Sequence, residues 1–247
     1  WVADVTTLTP RNVAAAVLPA IEDGDILAAS IRPGPNGAKF IVGGDVNIDR
    51  ANELFLVDAD SFPPTVVRAS SALAQGDAGL DLRADRFGVT PDGASLWYIA
   101  GSTLEGDALM RVELSAPGTA VRLNSVAPGA RIESAKVLGR GPGLLVEYGQ
   151  SQNNLTELYL ANLNGPANQN LVRVSDGVAI SDYQSSPSGA WVSYTTSDIM
   201  LVKMDGLQPR PAIQVSNPAP EITRPTTSRL MFSLDERTFV YSGDMVV

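Results

Sequence analysis

The sequence contains no cysteine and no histidine among its 247 residues. Without cysteine there is no disulfide and no thiolate, so covalent staples, thiol nucleophiles and sulfur metal sites are excluded. Without histidine the commonest general base and the commonest transition-metal ligand are missing as well. A Ser-His-Asp triad cannot be built, and no G-x-S-x-G elbow occurs. Lysine is scarce, with Lys39, Lys136 and Lys203 alone, and 27 acids against 18 bases leave a net charge of −9. Nucleic acid demands clustered Lys and Arg, whereas these bases stand singly, so nucleic acid is excluded as a partner. The same charge disfavours an anionic membrane surface. No apolar run approaches the roughly 18–20 residues that span a bilayer, so no direct membrane insertion is expected. No G-x-x-x-x-G-K-[ST] loop is present to cradle a nucleotide.

What is present is a repeat. GPNGAKFIVGG (34–44), TPDGASLWYIAG (90–101), GRGPGLLVEYG (139–149), SPSGAWVSYTT (186–196) and SLDERTFVYSG (233–243) each join a short turn to a hydrophobic, aromatic-containing strand. Pro35, Pro91, Gly139, Pro187 and Leu234 are equivalent, giving steps of 56, 48, 48 and 47 residues. The longer first step holds the insertion SALAQGDAGL (71–80). An extended segment precedes each of the first four turns, as in DILAASIR (25–32), DLRADRFGV (81–89), RIESAKVL (131–138) and VAISDYQSS (178–186). Third strands follow as ELFLVDA (53–59), ALMRVEL (108–114), ELYLANL (157–163) and IMLVKMDG (199–206). Edge-like fourth strands follow as TVVRAS (65–70), AVRLNS (120–125), LVRVSD (171–176) and AIQVSN (212–217). Four strands in a 48-residue period make one propeller blade.

The expected fold is therefore all-β: a β-propeller of four-stranded antiparallel blades, about five of them, forming one domain over 1–247. NVAAAVLPAI (12–21) could make a helical turn broken at Pro19 and is expected as a connector. Repeat five stops inside its third strand at GDMVV (243–247), and WVADVTTLTP (1–10) resembles a third strand running into a fourth. Two arrangements follow. Residues 1–10 close a five-bladed ring, or the chain is part of a ring of six to eight blades. A start at Trp1 with no charged-then-apolar leader suggests a processed or excised chain.

The order of extended strand, S-P-D-G-like turn, aromatic strand and D/E-L-Y-L-V-D-like strand resembles the TolB-like, PD40-type relatives of the WD40 propeller repeat. It is also similar to the propellers attached to prolyl-oligopeptidase-type enzymes. VTPDGASLWYIAG with ALMRVEL, and SSPSGAWVSYTT with IMLVKMDG, carry the likeness best. GRGPGL and SLDERT depart from it, the second lacking both Pro and Gly. The resemblance covers roughly residues 25–247. It implies a protein-binding or scaffolding propeller in the periplasm or outside the cell. In the peptidase relatives it implies a gate, the nucleophile lying in a separate domain.

Candidate sites are few. Asp45, Asn47, Asp49 and Glu53 alternate oxygen ligands between the second and third strands of repeat one, as in a calcium-binding hairpin loop. Arg50 stands where such loops want Gly, and Glu157 precedes a third strand just as Glu53 does, so a solvated loop is the competing reading. The acid groups Asp58/Asp60, Glu22/Asp23/Asp25 and Asp81/Asp85 could flank a glycosidic bond, although acids near turns are usually solvated surface. First strands line the channel of a propeller, which places Asp85, Arg86, Glu133, Lys136 and Asp182 at a mixed-charge mouth. Trp97 and Trp191 lie in second strands and are expected to pack between blades. The functional expectation is a non-catalytic interaction or assembly module with a protein partner, no cofactor unless calcium, and a place in a larger chain or complex. The alternative is a hydrolase or lyase using carboxylates, or the propeller domain of a secreted enzyme.

Overall fold

A computed structural model describes residues 2–3, 10–11, 32–33, 39–44, 53–58, 65–70, 86–101, 106–124, 130–139, 141–150, 155–177, 179–215 and 230–241. The stretches 12–21 and 71–80 lie outside them. Among the described residues every regular element is a strand. A short ladder joins β1 (Val2–Ala3) to β2 (Pro10–Arg11). Sheet one runs β3 (Arg32–Pro33), β4 (Lys39–Gly44), β5 (Glu53–Asp58), β6 (Thr65–Arg68), and sheet two β7 (Phe87–Val89), β8 (Ser95–Ala100), β9 (Ala108–Glu113), β10 (Ala120–Arg122). Sheet three runs β11 (Ala130–Val137), β12 (Gly143–Gln150), β13 (Leu155–Asn162), β14 (Val172–Arg173). Sheet four holds β15 (Asp182–Ser185), β16 (Trp191–Thr195) and β17 (Ile199–Asp205). Its edge is split: β18 (Gln208–Pro209) and β19 (Ile213–Gln214) both pair with β17. A hairpin of β20 (Leu230–Phe232) and β21 (Phe239–Tyr241) follows.

All pairings between these strands are antiparallel, and in the first three sheets the strands pair in sequence order. These are the four-stranded blades of a β-propeller. The chain forms two compact units, 1–122 and 123–247. In the first, Ile41, Leu54, Leu56 and Ala69 of one blade pack on Phe87, Leu96, Tyr98 and Val112 of the next. In the second, Leu145, Leu158, Leu160 and Val174 pack on Val192, Tyr194, Val202 and Met204. Stacking explains why the central strands β5 and β8 are buried residue after residue, while the outer strand β6 alternates. A sheet covered on both faces has no solvent side to mark with polar residues.

The tight turns share one hydrogen-bond scheme. The first side chain (Thr90, Ser186, Ser233) accepts from the backbone N–H five residues on, at 3.0, 3.1 and 3.0 Å. The third (Asp92, Ser188, Asp235) accepts from the N–H two residues on, at 3.0, 3.1 and 3.2 Å. The fourth residue is left-handed: Gly93 at φ 70, Gly189 at φ 82 and Glu236 at φ 57. SLDERT thus makes the same turn as SPSGAW without Pro or Gly, because the side-chain acceptors at its first and third positions survive. Glu236 carries a left-handed backbone that disfavours a Cβ by roughly 1 kcal/mol. Its carboxylate reaches back to turn four, where Ser188 donates from both its N–H and its Oγ, the latter at 2.6 Å.

Turn three lacks those acceptors yet keeps the closing bonds, Leu138 N–H to Gly143 O at 2.8 Å and Gly141 N–H to Leu138 O at 3.3 Å. Gly139, at φ 54, presses on turn four: a Cβ there would lie 2.2 Å from the Ser188 carbonyl. Turns three, four and five of the second unit therefore stack, each on the next.

Candidate binding site

The carboxylates of the third strands go into structure. Glu53 begins β5, is 1% exposed, and takes a hydrogen bond from Arg68 on β6 at 3.3 Å. Glu157 on β13 is also buried and is paired with Arg173 on β14. In sheet four Asp198 accepts from Gln214 Nε2 at 3.0 Å. Registers prove the equivalence, since Arg68, Arg173 and Gln214 stand opposite Phe55, Tyr159 and Met200. Ser70 and Ser175 repeat a second tie, accepting from Leu54 N–H and Leu158 N–H at 3.2 and 2.9 Å. Each tie fastens an edge strand whose own ladder is short. Tyr159 completes the third-sheet cluster by donating to Glu157 at 2.5 Å. Burial, then the bond to Glu157, pushes its phenol up to about 12.

Of the loop proposed for calcium, Asp45, Asn47 and Asp49 lie outside the described residues, and Glu53 is the buried partner of Arg68. Among the proposed mouth residues Asp85 also lies outside them. Arg86 is mostly buried and pairs with Asp107 at 3.4 Å within the first unit. Glu133, Lys136 and Asp182 all lie on the first strands β11 and β15 of the second unit, where the sequence put them. Glu133 is exposed on a β-bulge: Ile132 faces Tyr148 and Ser134 faces Glu147, leaving Glu133 without an opposite residue. Its side chain lies against Gly149, where a Cβ would come 2.8 Å from Oε1. Asp182 caps the Tyr183 N–H at 2.8 Å.

What sequence reasoning missed is a set of ties between these first strands. Ser134 donates to Glu147 Oε2 at 2.6 Å, so Tyr183 OH, 2.8 Å from Ser134 Oγ, must donate to Ser134. Two residues on, Lys136 Nζ donates to Gln184 Oε1 at 2.7 Å. Residues 48 and 49 apart in sequence thus lock β11 to β15. The repeat period was the available signal, because 136 and 184 hold the same position in consecutive blades. Met231 holds it in the next: Lys136, Gln184 and Met231 face Leu145, Ser193 and Val240 across their hairpins.

Beside this locked pair opens a pocket of about 340 Å³. One side is Gln184, Ser185, Ser186 and Pro187; the other is Leu230, Met231 and Phe232 of β20, with Val137 and Gly139 alongside. Leu230 is buried, whereas Met231 is 63% exposed. Phe232, Phe239 and Tyr241 stack behind it at centroid separations of 4.8 and 6.0 Å. Trp97 is buried over Gly88, whereas Trp191 is half-buried with Lys203 above its ring at 5.8 Å. Among the described residues no cluster of three or more acids could hold a metal, and no helix is long and apolar enough to cross a membrane.

These features define the chain as a multi-bladed all-β propeller. It superposes on dipeptidyl peptidase 4 from Porphyromonas gingivalis with a TM-score of 0.65 at 11% identity, over 97% of this chain and 33% of that one. A protein of Agrobacterium tumefaciens assigned to TolB matches at a TM-score of 0.46 and 16% identity, over 74% of this chain and 62% of that one. The periplasmic gluconolactonase of Pseudomonas aeruginosa matches at 0.44 and 13%, over 86% and 64%. The chain thus spans about a third of the peptidase and less than two thirds of the other two. No protein-family model and no curated protein matches it.

Proposed function

We propose that this chain is a non-catalytic propeller module that docks a partner protein on the first-strand face of its second unit. The observation that carries the reading is the pairing of a rigid frame with an open, partly apolar pocket. The frame is Lys136–Gln184 and Ser134–Tyr183; the pocket exposes Met231 beside it. Contacts held in place before binding lose little freedom on binding, and an exposed thioether adapts to varied surfaces. Of the acids the sequence offers for catalysis only Asp58 lies among the described residues, and the buried or tied acids nearby have structural work: Glu53, Glu157 and Asp198 fasten edge strands, and Glu147 holds Ser134.

Glu53 would have to leave Arg68 to bind calcium, so no cofactor is expected and chelation should leave the melting temperature unchanged. A Lys-poor acidic composition favours the periplasm or exterior, and the share of the peptidase covered favours a place in a larger chain. A photo-reactive phenylalanine analogue in place of Phe232, which lines the pocket and leaves the Lys136–Gln184 frame intact, tests the reading inside native cells. One discrete protein adduct is expected, lost when Met231→Asp is added, with none from the same probe at Ser197. Adducts of equal yield from both positions would overturn it.

A further inference from the structure

Resting on that reading, we infer that the pocket beside Gln184 takes the C-terminal carboxylate of a peptide whose last side chain is apolar. Lys136 carries the argument. It is exposed, and among the described residues its ammonium meets a neutral amide and no carboxylate. That is unusual in a chain with nine more acids than bases. One ammonium proton goes to Gln184 Oε1 at 2.7 Å, which fixes the head group and leaves two protons for an anion. Because the Gln184 oxygen is occupied as an acceptor, its NH₂ remains as a second donor on a residue that lines the pocket. An ammonium and an amide NH₂ side by side make a two-donor cradle of the kind a carboxylate fills.

The rest of the lining asks for hydrocarbon. Leu230, Met231, Phe232, Val137 and Pro187 supply apolar surface, and none of the lining residues is acidic. Because Lys136, Gln184 and Met231 hold one position on three successive first strands, the order is cation, amide, thioether. A ligand lying across the strands must therefore be anionic at one end and apolar at the other. About 340 Å³ is at the small end of ligand pockets, room for one or two residues. Glu236 lies past Pro187 but is engaged by Ser188, so it adds negative charge at the apolar end and penalises a ligand acidic along its length.

Fluorescence polarisation with a fluorescein-labelled hexapeptide ending in Gly-Leu tests this. The free acid should bind, and its C-terminal amide should bind about tenfold or more weakly. Lys136→Gln should weaken the acid by a similar factor and leave the amide unchanged, Lys136→Arg should recover part of the loss, and both variants should melt like the parent. Equal binding of acid and amide, no effect of Lys136→Gln, or no binding of either peptide would overturn the inference. So would preference for an amidated peptide carrying an internal Asp. If the Phe232 adduct persists while acid and amide tie, only this inference fails; if the adduct is also absent, the docking reading fails with it.

Discussion

Replacing Gly139 by alanine should destabilise the second unit far more than its surface position suggests. Two costs add. The backbone at φ 54 disfavours any Cβ by about 1 kcal/mol. The new methyl would also lie 2.2 Å from the Ser188 carbonyl carbon and oxygen and 2.4 Å from Gly189 N, so turn four must move. Overpacking of that kind costs about 1–3 kcal/mol. The lower entropy of the unfolded alanine chain returns about 0.4–1 kcal/mol. The net expectation is a loss of about 1–3.5 kcal/mol. Gly206 provides the control, since it has φ 61 with nothing within 4 Å of its Cβ position. Gly206→Ala meets the backbone cost alone and should lose about 1 kcal/mol or less. Urea unfolding of both variants gives the comparison, with native-state hydrogen exchange at Gly189 reporting the turn directly. Equal losses for Gly139→Ala and Gly206→Ala would refute the contact between turns three and four.

Other outcomes follow from the same contacts. Glu236→Ala should be less stable than Glu236→Gly by up to about 1 kcal/mol in urea, because both lose the bonds to Ser188 and only alanine keeps the left-handed penalty. Arg173→Met leaves the buried carboxylate of Glu157 with the Tyr159 hydroxyl but without its cation and should cost about 1.5–3 kcal/mol, whereas Gln214→Ala at the equivalent exposed tie should stay within about 0.5 kcal/mol. Hydrogen bonds from Thr90, and from Ser188, hold Asp92 and Glu236 below their ordinary values near 3.8 and 4.5. Folding therefore favours their ionised forms. The stability they contribute is present above those values and is lost as pH falls through the lower folded ones. Carbon-detected NMR titration should show both carboxyls protonating below the same groups in unfolded peptides.

Much of the fold was legible because each repeat announces itself locally. Pro91-Asp92-Gly93 and Pro187-Ser188-Gly189 fix a turn by their own dihedral preferences, and ELFLVD and ELYLAN read as buried third strands. Turn five shows the limit of that reading. SLDERT looks like a failed copy, yet Ser233 and Asp235 supply the two acceptors that matter, and a bond to a residue 48 positions away accompanies the strained Glu236. The split edge of sheet four and the bulge at Glu133 depend on registers that composition does not reveal. First-strand positions placed Glu133, Lys136 and Asp182 on β11 and β15, but not their partners. Arg86 could not be read as paired with Asp107, because that contact spans a hairpin and depends on where both chains turn. Likewise nothing near Lys136 in sequence points to Gln184, and the pocket exists only once β20 lies beside β15.

The most direct test of partner docking is hydrogen exchange of the chain alone and with the protein captured through the probe at Phe232. Slowed exchange should appear in 130–137, 182–185 and 230–232, with 172–173 and 213–214 unchanged. Slowing confined to the outer strands, or spread evenly over both units, would contradict the assignment of that face as the docking surface.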